Sequence, residues 1–350
     1  FIPCTVFWGR SLAFKKAKTS IWPTHWSHPG LRKKLNNLFL TWGDTWIHFG
    51  EPIYLDNLIE REQIASISQR RLARLLRSAI QNQKATTLGP NFENRNELLN
   101  SIATSNAVKD SLTNHPDQSE TLPRKIADSI ASNMSYPTIR ALTFLLNWFW
   151  NRIYEGIELT GIDKVNAVSR THSLIYVPCH RSHVDYLLLS FLLFHKGLMI
   201  PHIAAGDNLN IPILGRILRQ GGAFFMRRSF SGDELYSQVF KEYLYQTCNR
   251  GHSIEFFPEG GRSRTGRLLS PKLGFLKMCV ESHERGLSKP VAFIPVYIGY
   301  EKIIEGATYV SEMRGAQKTT ERLSDILINL KLIKQNFGKV QVNIGQVLKL

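Results

Sequence analysis

In Pro178-Cys179-His180-Arg181-Ser182-His183-Val184-Asp185-Tyr186 a histidine and an aspartate stand five residues apart. An imidazole held by a carboxylate can take a proton from a hydroxyl. On a single helix the two side chains would point about 140° apart. They can meet only if His180 lies in a turn and Asp185 reaches back from the first turn of a helix. Asp185 would then fix the tautomer through one ring nitrogen and leave the other as base. The same residues also suit a capping network in which backbone satisfies His180. A metal site built on His180, His183 and Asp185 is the other possibility, although no further Cys or His at ligand spacing stands nearby.

A second constellation, Phe256-Phe257-Pro258-Glu259-Gly260-Gly261-Arg262-Ser263-Arg264-Thr265-Gly266-Arg267, ends a strand-like run at a proline and follows it with three arginines. Exposed N–H groups and guanidiniums there make an anion cradle. Glu259 can align the arginines or bond a substrate hydroxyl, and the plain alternative is a basic turn that binds nothing. In Gly221-Gly222-Ala223-Phe224-Phe225-Met226-Arg227-Arg228 the two arginines at a strand end can grip a phosphate. On an open surface such a pair is merely solvated. Pro295, in Phe293-Ile294-Pro295-Val296, requires an edge strand or a bulge. Neither the nucleotide-binding P-loop spacing nor a G-x-S-x-G nucleophile elbow occurs.

The elements that must carry these groups alternate. Strand patterns fall at Ser173–Val177, Leu198–Ile203, Ala223–Met226, Ser253–Phe257, Val291–Ile298 and Val340–Ile344. Helical patterns separate them at Tyr186–Phe194, Asp233–Asn249 and Lys272–Glu284. Alternation of this kind predicts an α/β fold with a mostly parallel central sheet flanked by helices. His180 then lies where a strand hands over to a helix, which is where such sheets bind ligands. Ala141–Ile157 reads as a helix rich in Trp and Phe, either interfacial or packed on the sheet.

Upstream, residues 57–80 read as a basic helix with Arg70, Arg74 and Arg77 on one side, and residues 81–135 as a polar linker carrying short helices. Residues 1–56 are strand-rich. Phe1-Ile2-Pro3-Cys4-Thr5-Val6 echoes Phe293-Ile294-Pro295-Val296-Tyr297-Ile298, and Thr45–Pro52 echoes Val340–Val347 in the same order. Either β-runs resemble one another by chance, or the chain opens on the tail of a degenerate first copy of the later domain. The expected division is 1–56 as this N-terminal segment, 57–140 as a helical and polar linker region, and 141–350 as the catalytic domain with a truncated C-terminus.

At 350 residues and 43% hydrophobic, the chain can bury a sizeable core. A net charge of +16 calls for anionic partners: phosphate groups, an anionic membrane or nucleic acid. No helix-turn-helix, zinc-finger or RNP-type motif supports nucleic acid. Cys4, Cys179, Cys248 and Cys279 are far apart, which argues for a reducing compartment and against a disulfide or zinc framework. No run approaches the roughly 18 to 20 apolar residues of a transmembrane helix. Lys15, Lys16 and Lys18 with Trp22 and Trp26 make either a membrane-facing patch or a solvated loop. Because it begins inside a strand-like run, the chain reads as an internal fragment.

Taken in order, the four segments resemble the four blocks of the glycerolipid acyltransferases: His180 to Asp185 as the H-x4-D block, Gly222 to Arg228, Phe257 to Arg264, and the segment around Pro295. Their flanking residues are most similar to the bacterial membrane-bound PlsB type of glycerol-3-phosphate acyltransferase. The resemblance implies the glycerolipid acyltransferase fold with an N-terminal α/β and helical appendage. It also implies acyl transfer from acyl-CoA or acyl-carrier protein to the sn-1 hydroxyl of glycerol 3-phosphate, giving lysophosphatidate. His180 would be the base and Asp185 its orienting partner. Arg228, Arg262 and Arg264, with Arg227 beside them, would hold the phosphate, and Glu259, Gly260, Ser263 and Pro295 would shape the acceptor site. Neither metal nor cofactor is implied, the acyl thioester being a co-substrate. The implied setting is the cytoplasmic face of a bacterial inner membrane, peripheral or monotopic, with an anionic surface and no nucleic acid as partner. Dihydroxyacetone phosphate or a lysophospholipid is the alternative acceptor. A non-catalytic binder of anionic lipid or nucleic acid is the more distant alternative.

Overall fold

The run Ser173-Leu174-Ile175-Tyr176-Val177-Pro178 is apolar on both sides of its pleat, as a strand covered on both faces must be. In the computed structural model it is β4 (Ser173–Pro178), inside an eight-stranded sheet. The structure describes residues 1–8, 45–54, 65–89, 95–113, 119–227, 229–230, 232–315 and 335–350. They form two compact units, Phe1–Leu88 and Gly89–Leu350.

The second unit holds the sheet. Its order is β3 (Gly156–Thr160), β9 (Lys339–Ile344), β8 (Val291–Tyr300), β4, β7 (Ile254–Glu255), β5 (His202–Gly206) and β6 (Ala223–Met226). A short β10 (Leu348–Lys349) also pairs with β8. From β8 through β6 every pairing is parallel, whereas β9 and β10 run antiparallel to β8. This is the mostly parallel sheet read from the alternation.

One face is covered by α5 (Tyr136–Ile153), α6 (Ile162–Val168), α7 (Asp185–His195) and α8 (Leu214–Gln220), which share a core with Leu174 and Tyr176 of β4. The other face packs on α2 (Arg95–Ala103), α3 (Asn106–Thr113), α4 (Leu122–Ile130), α9 (Glu234–Asn249) and α10 (Leu273–Glu284), and receives Ile175. The alternation along β4 therefore joins two cores. On α5 the side chains of Phe149, Trp150 and Ile153 are buried against the sheet, while Phe144 and Trp148 remain exposed.

Several boundaries differ from the sequence expectation. The segment read as a linker supplies core: Leu99, Ile102, Val108, Ile126 and Ile130 are buried in one cluster with Val239, Phe240 and Tyr243 of α9. The unit boundary thus falls at Leu88–Gly89 and not at 140/141. Asn96, Asn100, Ser101 and Ser129 face solvent between the apolar positions and hid the helical period. The strand expected at 198–203 begins at His202 and runs to Gly206. Helix α5 stops at Ile153, because Tyr154 is extended, and Gly156 then starts β3, a strand not expected. Helices α8 and α11 (Gly306–Met313) were also not expected.

Pro295 lies inside the sheet, not at its edge, yet the ladder tolerates it. Val296 faces Ile344, the last residue of β9, and Phe293 faces Leu348, the first of β10. The missing N–H therefore falls opposite the passage from β9 to β10, and the Pro295 carbonyl accepts from Gly345 N–H at 2.8 Å.

In the first unit β1 (Cys4–Trp8) and β2 (Thr45–Phe49) pair antiparallel, and α1 (Ala65–Leu88) carries exposed Arg70, Arg74 and Arg77. The strand pair repeats the register of the segments it echoes. Cys4 faces Phe49 as Val296 faces Ile344, and Gly50 N–H donates to Pro3 at 2.7 Å as Gly345 does to Pro295. The basic patch at Lys15 to Trp26 lies outside the described residues.

Candidate active site

The chain leaves β4 at Pro178 and enters α7 at Asp185, so His180 occupies the turn and Asp185 the first helical residue. Asp185 reaches back over that turn. Its Oδ2 accepts from Arg181 N–H at 2.6 Å and Ser182 N–H at 2.9 Å, and lies 3.0 Å from His180 Nδ1. Its Oδ1 accepts from the Tyr300 hydroxyl at 2.7 Å. A carboxylate with two backbone donors on Oδ2 offers only acceptance to the ring, so Nδ1 carries the proton in the neutral tautomer and Nε2 is the nitrogen that can act as base. The imidazole also lies against the Phe257 ring, with centroids 4.2 Å apart.

The turn after β7 clamps the backbone of His180 from both sides. Glu259 accepts from His180 N–H at 2.9 Å with one oxygen and from Leu269 N–H at 2.8 Å with the other. Ser263 N–H donates to His180 C=O at 2.8 Å. Glu259, expected to align arginines or meet a hydroxyl, accepts from backbone with both of its oxygens. Gly260 has φ +60°, a left-handed conformation that favours glycine in this turn.

A second buried carboxylate, Glu305, accepts from Ser182 Oγ at 2.8 and 3.0 Å and from His183 N–H at 2.8 Å, and lies 3.5 Å from Arg262. Burial raises its pKa despite these donors. Arg262 also donates to Tyr309 Oη at 2.7 Å, and that hydroxyl donates to Arg181 C=O at 3.1 Å. Arg264 pairs with Glu312, and both guanidiniums approach the Tyr309 ring. The His183 pKa is lowered to about 4, first by burial and then by Arg262 and His180.

The structure thus gathers His180, Asp185, Glu259, Gly260, Arg262, Ser263 and Arg264 at the ends of the adjacent strands β7, β4 and β8. Arg227 is not among them. It follows β6, three strand spacings or about 14 Å from β4, where it pairs with Asp233 at 2.6 Å and stacks on Tyr236. Pro295 lies within the sheet, level with Val177. Arg228 lies outside the described residues. Among the described residues no three His, Cys, Asp or Glu side chains are grouped to hold a metal ion. Sequence reasoning gave no role to Phe257, Tyr300, Glu305, Tyr309 or Glu312. Phe257 stood inside a singled-out segment, but nothing local marks the others.

Beneath the pair, Glu255 of β7 is wholly buried beside its register neighbour Tyr176, and neither of its oxygens has a hydrogen-bond partner. Burial, reinforced by the charge of Asp185, raises its pKa well above the carboxylate range. A raised folded pKa gives stability that is complete below the unfolded value of about 4.5 and is lost as pH rises, since folding must then keep a proton that the unfolded chain releases. Glu255→Gln, a neutral isostere, is therefore expected to melt above the wild type at pH 7, with the gap closing as pH falls through 4.5. Thermal melts across that range check this, and an equal or lower melting temperature at pH 7 would refute it.

Residues 156–299 match the acyltransferase family, residues 1–89 the glycerol-3-phosphate acyltransferase PlsB N-terminal domain, and residues 309–350 the glycerol-3-phosphate acyltransferase C-terminal region. The chain is 42% identical over its whole length to a glycerol-3-phosphate acyltransferase of Pseudomonas paraeruginosa (strain DSM 24068 / PA7) and 43% identical to one of Pseudomonas fluorescens (strain Pf0-1). It spans 43% of the length of each. A crystal structure of the 1-acyl-sn-glycerophosphate acyltransferase PlsC from Thermotoga maritima is 18% identical, with a TM-score of 0.35 over 73% of this chain and 77% of that one, a likeness too slight to bear on fold or chemistry.

Proposed function

This chain belongs to the glycerol-3-phosphate acyltransferase family, and from that premise we propose that it transfers an acyl group from acyl-CoA or acyl-carrier protein to the sn-1 hydroxyl of glycerol 3-phosphate. The product is lysophosphatidate. The observation that carries this reading is His180, with Nδ1 held by an anchored carboxylate and Nε2 left to meet a hydroxyl. Nε2 takes the hydroxyl proton as the oxygen attacks the thioester carbonyl. The C–O bond forms, the C–S bond breaks, and the imidazolium returns the proton to the departing thiolate. This sequence needs neither metal nor cofactor.

Arg262 and Arg264 bind the acceptor phosphate together with Arg228; Glu305 and Glu312 hold the first two in place. Glu259, Gly260 and Ser263 shape the acceptor site by fixing the His180 backbone. The acyl chain lies along the apolar cleft walled by Leu142 and Leu146 of α5, Leu187 and Phe191 of α7, and Leu218 of α8. The setting is an anionic membrane at the cytoplasmic face of a bacterial inner membrane, held peripherally or monotopically, and nucleic acid is no partner. Among the described residues no helix is long and apolar enough to cross a membrane.

The test follows CoA release from palmitoyl-CoA by the full-length protein, offering glycerol 3-phosphate, dihydroxyacetone phosphate or lysophosphatidate. Release with glycerol 3-phosphate, unchanged by chelator, is expected. Release only with another acceptor would move the substrate, and no release from folded protein would end the enzyme assignment. Arg264→Ala should raise KM for glycerol 3-phosphate by roughly tenfold to a hundredfold, the worth of a charge-assisted contact, and leave KM for palmitoyl-CoA unchanged. A matching rise for both substrates would count against a phosphate role.

A further inference from the structure

One turn on the α5–α8 side is strained. Ile213 has φ 68° and ψ −64°, and Leu214 N–H donates across it to Pro212 C=O at 2.8 Å, closing a γ-turn of the rare positive-φ kind. Among the described residues it is the non-glycine with positive φ, and a β-branched side chain is the type least suited to that region. The strain does not serve burial, because Ile213 is 79% exposed. Strain of this kind persists where a function uses it.

Ile213 has apolar company. Ile211 and Ile217 flank it, and on neighbouring α5 Leu145, Trp148 and the 80% exposed Phe144 point outward. The two elements touch where Leu142 approaches Gly221. Isolated exposed apolar residues are ordinary, but a cluster of six large ones on adjoining elements is not. The charged residues within the two elements are all arginines. Arg140, Arg152 and Arg216 lie on the two elements, and no Asp or Glu occurs between Tyr136 and Tyr154 or between Asn208 and Arg227. Exposed aromatic and aliphatic side chains on elements whose charges are arginines fit the interface of an anionic bilayer, where apolar groups enter the acyl boundary and cations meet phosphates. The same two helices contribute Leu142, Leu146 and Leu218 to the apolar cleft.

We propose that α5 and the Pro212–Leu214 turn form the face on which this protein sits on an anionic lipid bilayer, with Phe144, Trp148 and Ile213 inserted. Acyl chains then reach the cleft from the lipid side, a consequence that rests on the acyl-transfer reading above; the docking face itself does not.

The test places an environment-sensitive fluorophore on Ile213→Cys in the full-length protein, with Cys4, the exposed cysteine among the four, changed to Ser. A control probe sits on Lys277→Cys, an exposed position on α10 in the opposite layer. On phosphatidylcholine vesicles containing about a third phosphatidylglycerol, the Ile213 probe is expected to shift to the blue and to be quenched by spin-labelled lipid, while the Lys277 probe stays in water. Phe144→Glu combined with Ile213→Glu should weaken vesicle binding about tenfold or more and leave acyl transfer to detergent-dispersed substrate intact. A probe at position 213 already shielded before vesicles are added would mean that protein covers this face, and would overturn the proposal. A probe that stays in water while the protein binds vesicles, or binding indifferent to phosphatidylglycerol, would overturn it as well. If the probe inserts while no acyl transfer is found, the activity proposed above fails and the docking face stands.

Discussion

His180→Ala is expected to lower kcat for acyl transfer by about 10² to 10⁴, the usual worth of a positioned general base, with KM for both substrates little changed. The enzyme should stay folded. The imidazole touches Phe257 and Asp185, and when it is removed Asp185 Oδ2 still accepts from Arg181 and Ser182 N–H. No buried anion is left without donors, which is the condition that makes such deletions destabilising. Steady-state CoA release beside a thermal melt checks both halves. Retention of a tenth or more of wild-type kcat in folded protein would remove His180 from the chemistry.

Asp185→Asn should cost about 10² to 10³ in kcat, or roughly 2.7 to 4 kcal/mol of barrier. An asparagine has one acceptor oxygen for the two that Asp185 uses. Three N–H donors converge on the Oδ2 position, so the amide oxygen will take it and turn its NH₂ toward Tyr300 Oη. The ring then keeps its tautomer and position but loses the negative charge that would stabilise the imidazolium. A mere structural role predicts a fall in melting temperature with kcat preserved, so the two quantities separate the cases. Activity within threefold of wild type would show that the charge is idle. Tyr300→Phe, which strips one donor from Oδ1 and leaves the charge in place, should fall between wild type and Asp185→Asn.

How much of this could be read from residues in order depends on how far apart the partners stand. His180 and Asp185 are separated by one turn, so residue type and the strand-to-helix handover were enough to pair them. Tyr300 and Glu305 are more than a hundred positions downstream, and they reach the turn only because β8 lies parallel beside β4. No local spacing encodes that neighbour. Arg227 shows the converse: an arginine pair after a strand looked like a phosphate grip, yet the strand order sets β6 three places from β4 and gives Arg227 an acidic partner of its own. Glu259 was singled out because charge suggests chemistry, and residue order gave no sign that its oxygens also serve backbone N–H groups that the turn would otherwise leave open. The helices at 95–130 were missed for a different reason. Their buried faces are narrow, two to four residues each, and too short to stand out against Asn and Ser.

The proline-and-glycine junction found at Pro295 and Gly345 occurs again at Pro3 and Gly50, and the molecule therefore carries its own control experiment. Beyond Pro295 the strand runs on to Tyr300, whose hydroxyl reaches Asp185; at the matching place beyond Pro3 the chain has Trp8, a residue type with no hydroxyl to offer. A lesion at Pro3 or Gly50 reports what the junction does for folding. The same lesion at Pro295 or Gly345 reports folding and catalysis together.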